Sequence, residues 1–207
     1  MRKDLKGVDI YKEADLIVET TTFCNKSCKG CFFEDKKREK IILNHLVYYN
    51  TLLNLKKRSL IVLRGGEIST INDWFDIFVK PALDRQLIVI IESNGLFMED
   101  LNYFLPKLRH KNIFLRISFD LMHIKSRNFR KECAQKYFFA KMATKKRINF
   151  GFYATGMESE QMINLLKGSG LEEYFFKFYF LKKYSSEKLN INGIYLRADG
   201  TTQRYYP

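Results

Sequence analysis

The segment Leu16-Ile-Val-Glu-Thr-Thr-Thr-Phe-Cys-Asn-Lys-Ser-Cys-Lys-Gly-Cys31 joins an extended, mostly apolar run to three closely spaced cysteines. The run 16–22 is rich in β-branched residues and predicts a strand. Directly after it, Cys24, Cys28 and Cys31 follow the spacing Cys-x3-Cys-x2-Cys. Thiolates are good ligands for soft metal centres, so the segment predicts a strand that leads into a metal-binding loop.

The number of thiols in this loop favours one kind of metal site. A structural zinc site uses four ligands, whereas three thiolates can hold three irons of a cubane iron–sulfur cluster and leave the fourth iron open. Zinc is the alternative, but its fourth ligand would have to come from Cys133 or His45, which both lie in predicted helices. Three crowded thiols without a metal would be prone to oxidation. We therefore expect one 4Fe-4S cluster with an open iron.

The size and charge of the chain indicate a globular protein with an anionic partner. At 207 residues, 46% of them hydrophobic, the chain fits a single domain over 1–207. Its 36 Lys and Arg against 23 Asp and Glu give a formal net charge of +13, which favours a polar or anionic substrate. Nucleic acid is possible but not favoured, because the basic runs at 36–38, 56–58 and 145–147 fall at predicted helices, where solvated lysines are ordinary.

The composition also bears on the compartment. The amino terminus shows no apolar segment typical of a signal peptide, and no apolar run approaches the ~20 residues of a membrane span. Four cysteines, three of them in one loop, do not resemble a disulfide framework. We expect a cytoplasmic protein that makes no use of a membrane.

Apolar runs and helical patterns alternate along the chain and predict an α/β fold. Six strands separated by helices, at about 30 residues per unit, imply a parallel sheet with right-handed crossovers. Six units are too few for the usual eight-stranded barrel, so we expect a partial (β/α)6 barrel over a core of 14–181, with its site at the carboxyl ends of the strands. A β-hairpin over 190–206, built on the turn at Asp199-Gly200, is expected to cap the open edge. The predicted strands span 16–22, 59–63, 87–92, 113–119, 148–154 and 174–181, and the helices 40–57, 74–85, 98–108, 128–145 and 159–167.

One alternating face of these strands collects polar residues, while the opposite face is apolar. Since an unpaired buried polar group costs about 1 to 3 kcal/mol, a shared polar face predicts a cavity lined for a ligand. Mutual pairing of these side chains is the alternative. Arg64, Arg116 and Lys177 would suit a carboxylate or phosphate. The candidate substrate contacts are Glu19, Arg64, Glu92, Asn149, Lys177 and Tyr179.

The cysteine loop resembles the signature of the radical SAM superfamily, whose members bind S-adenosylmethionine (AdoMet) at the open iron of a 4Fe-4S cluster. Three further stretches match that family at the ends of the second, third and fourth strands. Arg64-Gly65-Gly66-Glu67 resembles its Gly-Gly-Glu motif, and Ser93-Asn94-Gly95 and Ser118-Phe119-Asp120 fall at its ribose- and methionine-binding positions. The resemblance spans residues 14–181.

The resemblance implies roles for individual residues in binding the cofactor. Glycines allow the backbone to approach a ligand closely, and Glu67 would accept a hydrogen bond from the methionine amino group. Arg116 either joins Ser118 and Asp120 at the ligand or forms an internal salt bridge. The implied AdoMet contacts are Phe33, Gly65, Gly66, Glu67, Ser93, Asn94, Arg116, Ser118, Asp120 and Tyr153.

The resemblance also implies a reaction. AdoMet would be cleaved reductively to a 5′-deoxyadenosyl radical, which abstracts a hydrogen atom from a peptide, a nucleotide-like metabolite or a sugar phosphate, with flavodoxin or ferredoxin as the electron donor. A glycyl-radical activase and a non-catalytic metal-binding module for RNA are the alternatives. The tail 196–207 contains no cysteine, so no second cluster is expected. We expect Cys133 to be a buried thiol, with a hydrogen-atom donor as its alternative role.

Overall fold

The computed structural model describes residues 10–28, 31, 39–96, 101–119, 129–155, 161, 164, 166–167, 169–181 and 193–204. Strands and helices alternate along these residues. The strands are β1 (Leu16–Glu19), β2 (Leu60–Arg64), β3 (Ile88–Ser93), β4 (Ile113–Ser118), β5 (Phe150–Thr155), β6 (Phe178–Leu181), β7 (Ile194–Leu196) and β8 (Thr202–Arg204). The α-helices are α1 (Ile10–Glu13), α2 (His45–Leu53), α3 (Lys80–Asp84), α4 (Leu101–Leu108) and α5 (Phe129–Lys145). None of these helices is long and apolar enough to cross a membrane.

All of the strands belong to one sheet, with the order β6-β5-β4-β3-β2-β1-β7-β8. The six strands β1 to β6 are parallel and adjacent in chain order, which confirms the expected α/β fold with the geometry of a partial barrel. The hairpin of β7 and β8 extends this sheet, because β7 pairs in parallel with β1 and β8 pairs antiparallel to β7. The hairpin therefore covers the β1 edge.

The boundaries differ from the predicted ones where local hydrogen bonds compete with strand pairing. The predicted strand 174–181 begins only at Phe178, because Glu172–Lys177 form a 3₁₀ turn. In this turn the Tyr174 amide donates to the Leu171 carbonyl at 2.9 Å. The Tyr174 ring packs on Tyr137 and Phe150, with centroid distances of 6.2 and 6.5 Å. The aromatic run thus combines one helical turn with a short strand.

Helix α2 is shorter than the predicted helix 40–57 because its ends are capped. The Asn44 side chain accepts a hydrogen bond from the Leu46 amide at 2.9 Å and begins the helix. The helix ends at Leu53, and the amide of its C-cap Asn54 returns to the Thr51 carbonyl at 3.2 Å. The predicted helix 74–85 is divided into a π-helical turn at Phe75–Val79 and α3, and most of the predicted helix 159–167 lies outside the described residues.

The main hydrophobic core lies between the sheet and its helices. The apolar face predicted for the strands is buried there, with Val18, Leu63, Ile91, Leu115 and Phe152 in one cluster. The helices contribute the buried side chains of Tyr48, Phe78 and Phe139, and the Tyr48 hydroxyl donates to the Phe78 carbonyl at 2.6 Å. This packing holds the parallel strands at one level, so their carboxyl ends form a common edge.

The inner face of the sheet carries four charged side chains of alternating sign at one level of the strands. The register pairs Glu19 with Arg64 and Glu92 with Arg116. Arg116 Nη1 lies 2.7 Å from Glu92 Oε1, and Arg64 Nε lies 3.8 Å from Glu92 Oε2. We call these four residues the charge ladder. Its formal charges cancel, as is typical of an internal network rather than of a site for an ionic ligand.

Tyrosines surround the charge ladder. The Tyr11 hydroxyl donates to Glu92 Oε1 at 2.5 Å, and the Tyr195 hydroxyl donates to Glu19 Oε1 at 2.6 Å. Burial raises the pKa of both phenols, so both keep their protons and act as donors. The ring of Tyr153 lies 4.7 Å from the Arg116 guanidinium carbon. At this level the described side chains pair with one another. The structure therefore favours the alternative of mutual pairing over the predicted ligand-lined cavity.

We predict that Arg116→Ala lowers the free energy of unfolding by about 3 to 5 kcal/mol, because it removes the closest charge partner of the buried Glu92 carboxylate. Urea denaturation measures this loss. Lys107→Ala is the control, since it breaks the more exposed 3.3 Å pair with Asp76, and such pairs contribute at most about 1 kcal/mol. Equal losses in the two variants would contradict a stabilising ladder.

Candidate metal and cofactor site

The predicted motifs meet at the carboxyl edge of the sheet. The cysteine loop follows β1, Gly65-Gly66-Glu67 follows β2, and Ser93-Asn94 closes β3. Ser118 ends β4, and its hydroxyl lies 3.5 Å from the Ser93 carbonyl oxygen. Four parallel strands therefore deliver the motifs to one place.

Three consecutive threonines fix the base of the cysteine loop. The Thr20 amide donates to the Arg64 carbonyl at 2.8 Å, which continues the contact of β1 with β2. The Thr21 hydroxyl donates to the Ile41 carbonyl at 2.8 Å, and the Thr22 hydroxyl donates to the Glu39 carbonyl at 2.5 Å. Residues 22 and 39 are thus joined, so the cysteines lie on a loop that is closed at its base.

The two glycines allow the chain after β2 to approach the chain that enters the cysteine loop. The Gly66 amide donates to the Thr21 carbonyl, and the Glu67 amide donates to the Phe23 carbonyl, both at 2.7 Å. A Cβ atom on Gly66 would lie 1.9 Å from the Phe23 oxygen, and one on Gly65 would lie 2.4 Å from the Thr21 oxygen. Gly65 also has a φ of 134°, which other residues rarely adopt. Both positions therefore require glycine, for contact with protein backbone.

Glu67 is buried and joins the ends of β2 and β3. Its carboxylate accepts hydrogen bonds from the Asn94 amide at 2.7 Å, the Ser93 hydroxyl at 2.9 Å, and the amide and hydroxyl of Ser69 at 3.2 and 2.9 Å. Burial raises the pKa of Glu67, and these hydrogen bonds act in the opposite direction. The carboxylate holds two strand ends together, and its contact with a methionine amino group stays a prediction.

Asn94 connects the end of β3 to the first thiol. Its side-chain amide donates to Asn25 Oδ1 at 2.8 Å and to Cys24 Sγ at 3.7 Å. The Lys26 amide also donates to Cys24 Sγ, at 3.4 Å. Hydrogen-bond donors around a sulfur stabilise and orient a thiolate ligand, so these contacts are compatible with the predicted metal-binding role of Cys24.

A buried ion pair connects the cysteine loop to helix α5. Lys26 Nζ lies 2.6 Å from Glu132 Oε2, and Lys136 Nζ lies 3.9 Å from the same oxygen. Cys133 lies beside Glu132 on α5, where burial raises its pKa to about 11 and keeps it a thiol. Cys133 is therefore a buried thiol, as its sequence context predicted.

The donor set of the loop fits an iron–sulfur cluster by its chemistry. None of the four cysteines, all in the described part of the chain, forms a disulfide. Cys28 is buried, and the Cys31 amide donates to its carbonyl at 3.4 Å. Among the described residues, no three His, Cys, Asp or Glu side chains lie close enough to form a ready metal site. Three thiols in one loop, one of them already receiving hydrogen bonds, are the ligands that such clusters use.

Comparison with known proteins identifies the fold. No protein-family model matches the sequence, and no curated protein matches it. The structure is similar to that of anSMEcpe with bound AdoMet and the Cp18Cys peptide, with a TM-score of 0.58 and 14% identity over 85% of this chain and 54% of that chain. That protein is a radical SAM enzyme. The chain has the radical SAM fold.

Streptococcus suis SuiB, a second radical SAM enzyme, shares this fold. SuiB bound to AdoMet matches with a TM-score of 0.56 and 11% identity over 92% of this chain and 60% of that chain. SuiB bound to its precursor peptide SuiA matches with a TM-score of 0.62 and 15% identity over 84% of this chain and 40% of that chain. This chain spans about half the length of these radical SAM structures.

The radical SAM fold brings most of the predicted site residues to one edge, but not all. Asn149 precedes β5 at the opposite edge of the sheet, where its side chain donates to the Ile113 carbonyl at 3.2 Å. The backbone register pairs Tyr179 with Tyr153, and Lys177 ends the 3₁₀ turn before β6. Phe33 and Asp120 lie outside the described residues.

Sequence reasoning missed several residues that shape this edge. Tyr11 and Tyr195 lie outside the six predicted strands, so the alternating polar pattern could not include them. Lys26 and Glu132 are far apart in the sequence, and their pairing depends on the fold. The position of Lys26 between two of the cysteines was the available signal for a role in the loop.

We predict that Gly66→Ala lowers the free energy of unfolding by about 3 kcal/mol, because the added Cβ would overlap the Phe23 carbonyl. The control is Gly200→Ala, where the Cβ would meet Val47 at an ordinary 3.8 Å and only the φ of 85° opposes alanine, at a cost of about 1 kcal/mol. Thermal or urea denaturation measures both. A Gly66→Ala loss no larger than that of the control would disprove the close approach.

Proposed function

We propose that this chain is a radical SAM enzyme that binds one 4Fe-4S cluster through Cys24, Cys28 and Cys31. The observation that carries the proposal is the position of the three thiols, on a loop held at the carboxyl edge of a sheet with the radical SAM fold. Two of the three structures compared above contain bound AdoMet. Three thiol ligands leave one iron for that cofactor.

The residues of this chain would bind and orient the cofactors. The three thiolates would hold the cluster, and the Asn94 amide would donate to Cys24 in the loaded site as it does here. Glu67, Ser118 and Tyr153 are among the described residues proposed to contact AdoMet, and Phe33 and Asp120 of the predicted set lie outside the described residues. When bound, the reduced cluster supplies the electron for cleavage of AdoMet to methionine and a 5′-deoxyadenosyl radical, the species that takes a hydrogen atom from the substrate.

A peptide is the proposed substrate class. Two radical SAM structures with this fold contain a bound peptide, Cp18Cys in anSMEcpe and SuiA in SuiB. The net charge of +13 favours an acidic segment of such a peptide. The charge ladder fills the interior below the rim and neutralises itself, so the substrate would contact residues above Glu19 and Glu92 and reach no deeper.

The test is an assay of the reconstituted protein. The chain is purified without oxygen, loaded with iron and sulfide, reduced with dithionite and mixed with AdoMet, and the products are separated by chromatography. We expect 5′-deoxyadenosine and methionine in equal amounts. A colourless protein that binds zinc stoichiometrically, or a reduced cluster that leaves AdoMet intact, would refute the proposal.

We predict that Cys28→Ser fails to assemble the cluster, because it removes one of three ligands, while Cys133→Ser assembles it as the natural chain does. Cluster assembly is measured by the iron and sulfide contents of the protein and by its visible thiolate-to-iron charge-transfer absorbance. The Cys133 variant is a matched control, since Cys28 and Cys133 are both buried. Equal loss of iron from the two variants would mean that the ligands are assigned wrongly.

A further inference from the structure

Helix α2 carries apolar side chains on an outer face as well as on its inner face. Its inner face buries Tyr48 and Leu52 in the main core. Its outer face carries Leu46, Tyr49 and Leu53, at positions i, i+3 and i+7, and these side chains are 60%, 48% and 48% exposed. A surface helix normally presents polar residues to solvent, so the apolar outer face of α2 indicates a surface that another molecule covers.

The exposed apolar surface continues from α2 toward the cysteine loop. Ile42 is 42% exposed and forms a β-bridge with Thr21, three residues before Cys24. Val47, 37% exposed, faces the turn of the β7–β8 hairpin at Gly200. Five of the seven large hydrophobic side chains exposed in the described part of the chain lie here. We call this the α2 patch, formed by Ile42, Leu46, Val47, Tyr49 and Leu53.

Positive charge is concentrated beside the α2 patch at the carboxyl end of the helix. No acidic residue occurs from 40 to 66. Near the amino end of α2 the exposed Lys40 is offset by the adjacent exposed Glu39, whereas Lys56, Lys57 and Arg58 are all exposed after the carboxyl end. On the side of α3, Asp76 and Asp84 are balanced by Lys80 and Arg85. The rim is therefore basic overall and complements a negatively charged surface.

We infer that the α2 patch is the docking surface for an acidic electron-transfer protein. The inference rests on the proposed function, because that reaction consumes one electron for each AdoMet cleaved. In one encounter the donor protein is oxidised by one electron and the loaded enzyme is reduced by one. The patch adjoins the cysteine loop through Ile42 and Thr21, so a protein bound there would lie beside the electron acceptor.

The charge of the chain selects this occupant over a second copy. Two chains of net charge +13 would bring two basic rims together, and such like-charge contacts disfavour association. Electron-transfer encounters use small interfaces with steered association. A compact apolar centre with a basic rim matches that pattern.

The experiment compares two variants, each of which replaces one exposed apolar side chain with glutamate. Leu46→Glu places an acid in the α2 patch, and Phe138→Glu places one on α5 at a similar exposure of 56%. Reduced flavodoxin is mixed with each reconstituted protein, and cluster reduction is followed by stopped-flow absorbance; binding of oxidised flavodoxin is measured by calorimetry. We expect Leu46→Glu to lower the second-order rate and the affinity about tenfold. Phe138→Glu should match the natural chain, and dithionite should reduce all three proteins alike.

The outcomes separate the docking inference from the proposed function. Without 5′-deoxyadenosine in the dithionite reaction the proposed function fails, while the calorimetry still decides whether the α2 patch binds the acidic protein. Equal flavodoxin rates and affinities for Leu46→Glu and Phe138→Glu would overturn the docking inference. It would also be overturned by a dimer that Leu46→Glu dissociates, or by patch-dependent binding to phosphatidylglycerol vesicles or a short RNA but not to flavodoxin.

Discussion

The whole site depends on a close contact between two stretches of backbone. The chain leaving β2 passes so near the chain leaving β1 that Gly66 and Glu67 donate to the carbonyls of Thr21 and Phe23, both at 2.7 Å. Only glycine leaves room for this approach. The contact fixes where the cysteine loop begins, and it brings Glu67 to the end of β3, where its carboxylate receives Ser93 and Asn94. Asn94 can then reach the sulfur of Cys24.

The charge ladder sets the depth of the site. Two carboxylates and two guanidinium groups alternate across four neighbouring strands, and buried tyrosines donate to both carboxylates. Buried charges remain ionised only when they are paired and hydrogen-bonded. A neutral, paired layer closes the interior at this level, which supports the proposal that binding takes place at the rim above it. The same rim receives the cysteine loop, the end of β3 and Ser118.

The sequence predicts the fold well because its signals are local and repeated. Apolar runs at regular spacing specify parallel strands, and the cysteine spacing needs no tertiary information. The 3₁₀ turn at Glu172–Lys177 could not be predicted, because the aromatic sequence of this segment is equally compatible with a strand and a helical turn. The contacts of Glu67 with Ser93 and Asn94, and of Glu92 with Arg116, were also out of reach, since each joins residues more than twenty positions apart. The positions of the motifs were predictable from the sequence, whereas the hydrogen bonds that the motif residues form were not.

The proposed function requires that the three thiols of the cysteine loop hold a cluster that leaves one iron open to AdoMet. Electron paramagnetic resonance of the reduced, reconstituted protein tests it most directly, with spectra recorded before and after AdoMet is added. We expect the signal of a reduced 4Fe-4S cluster whose g values shift when AdoMet binds. A signal that AdoMet leaves unchanged, or a protein that takes up zinc and gives no signal, would contradict it.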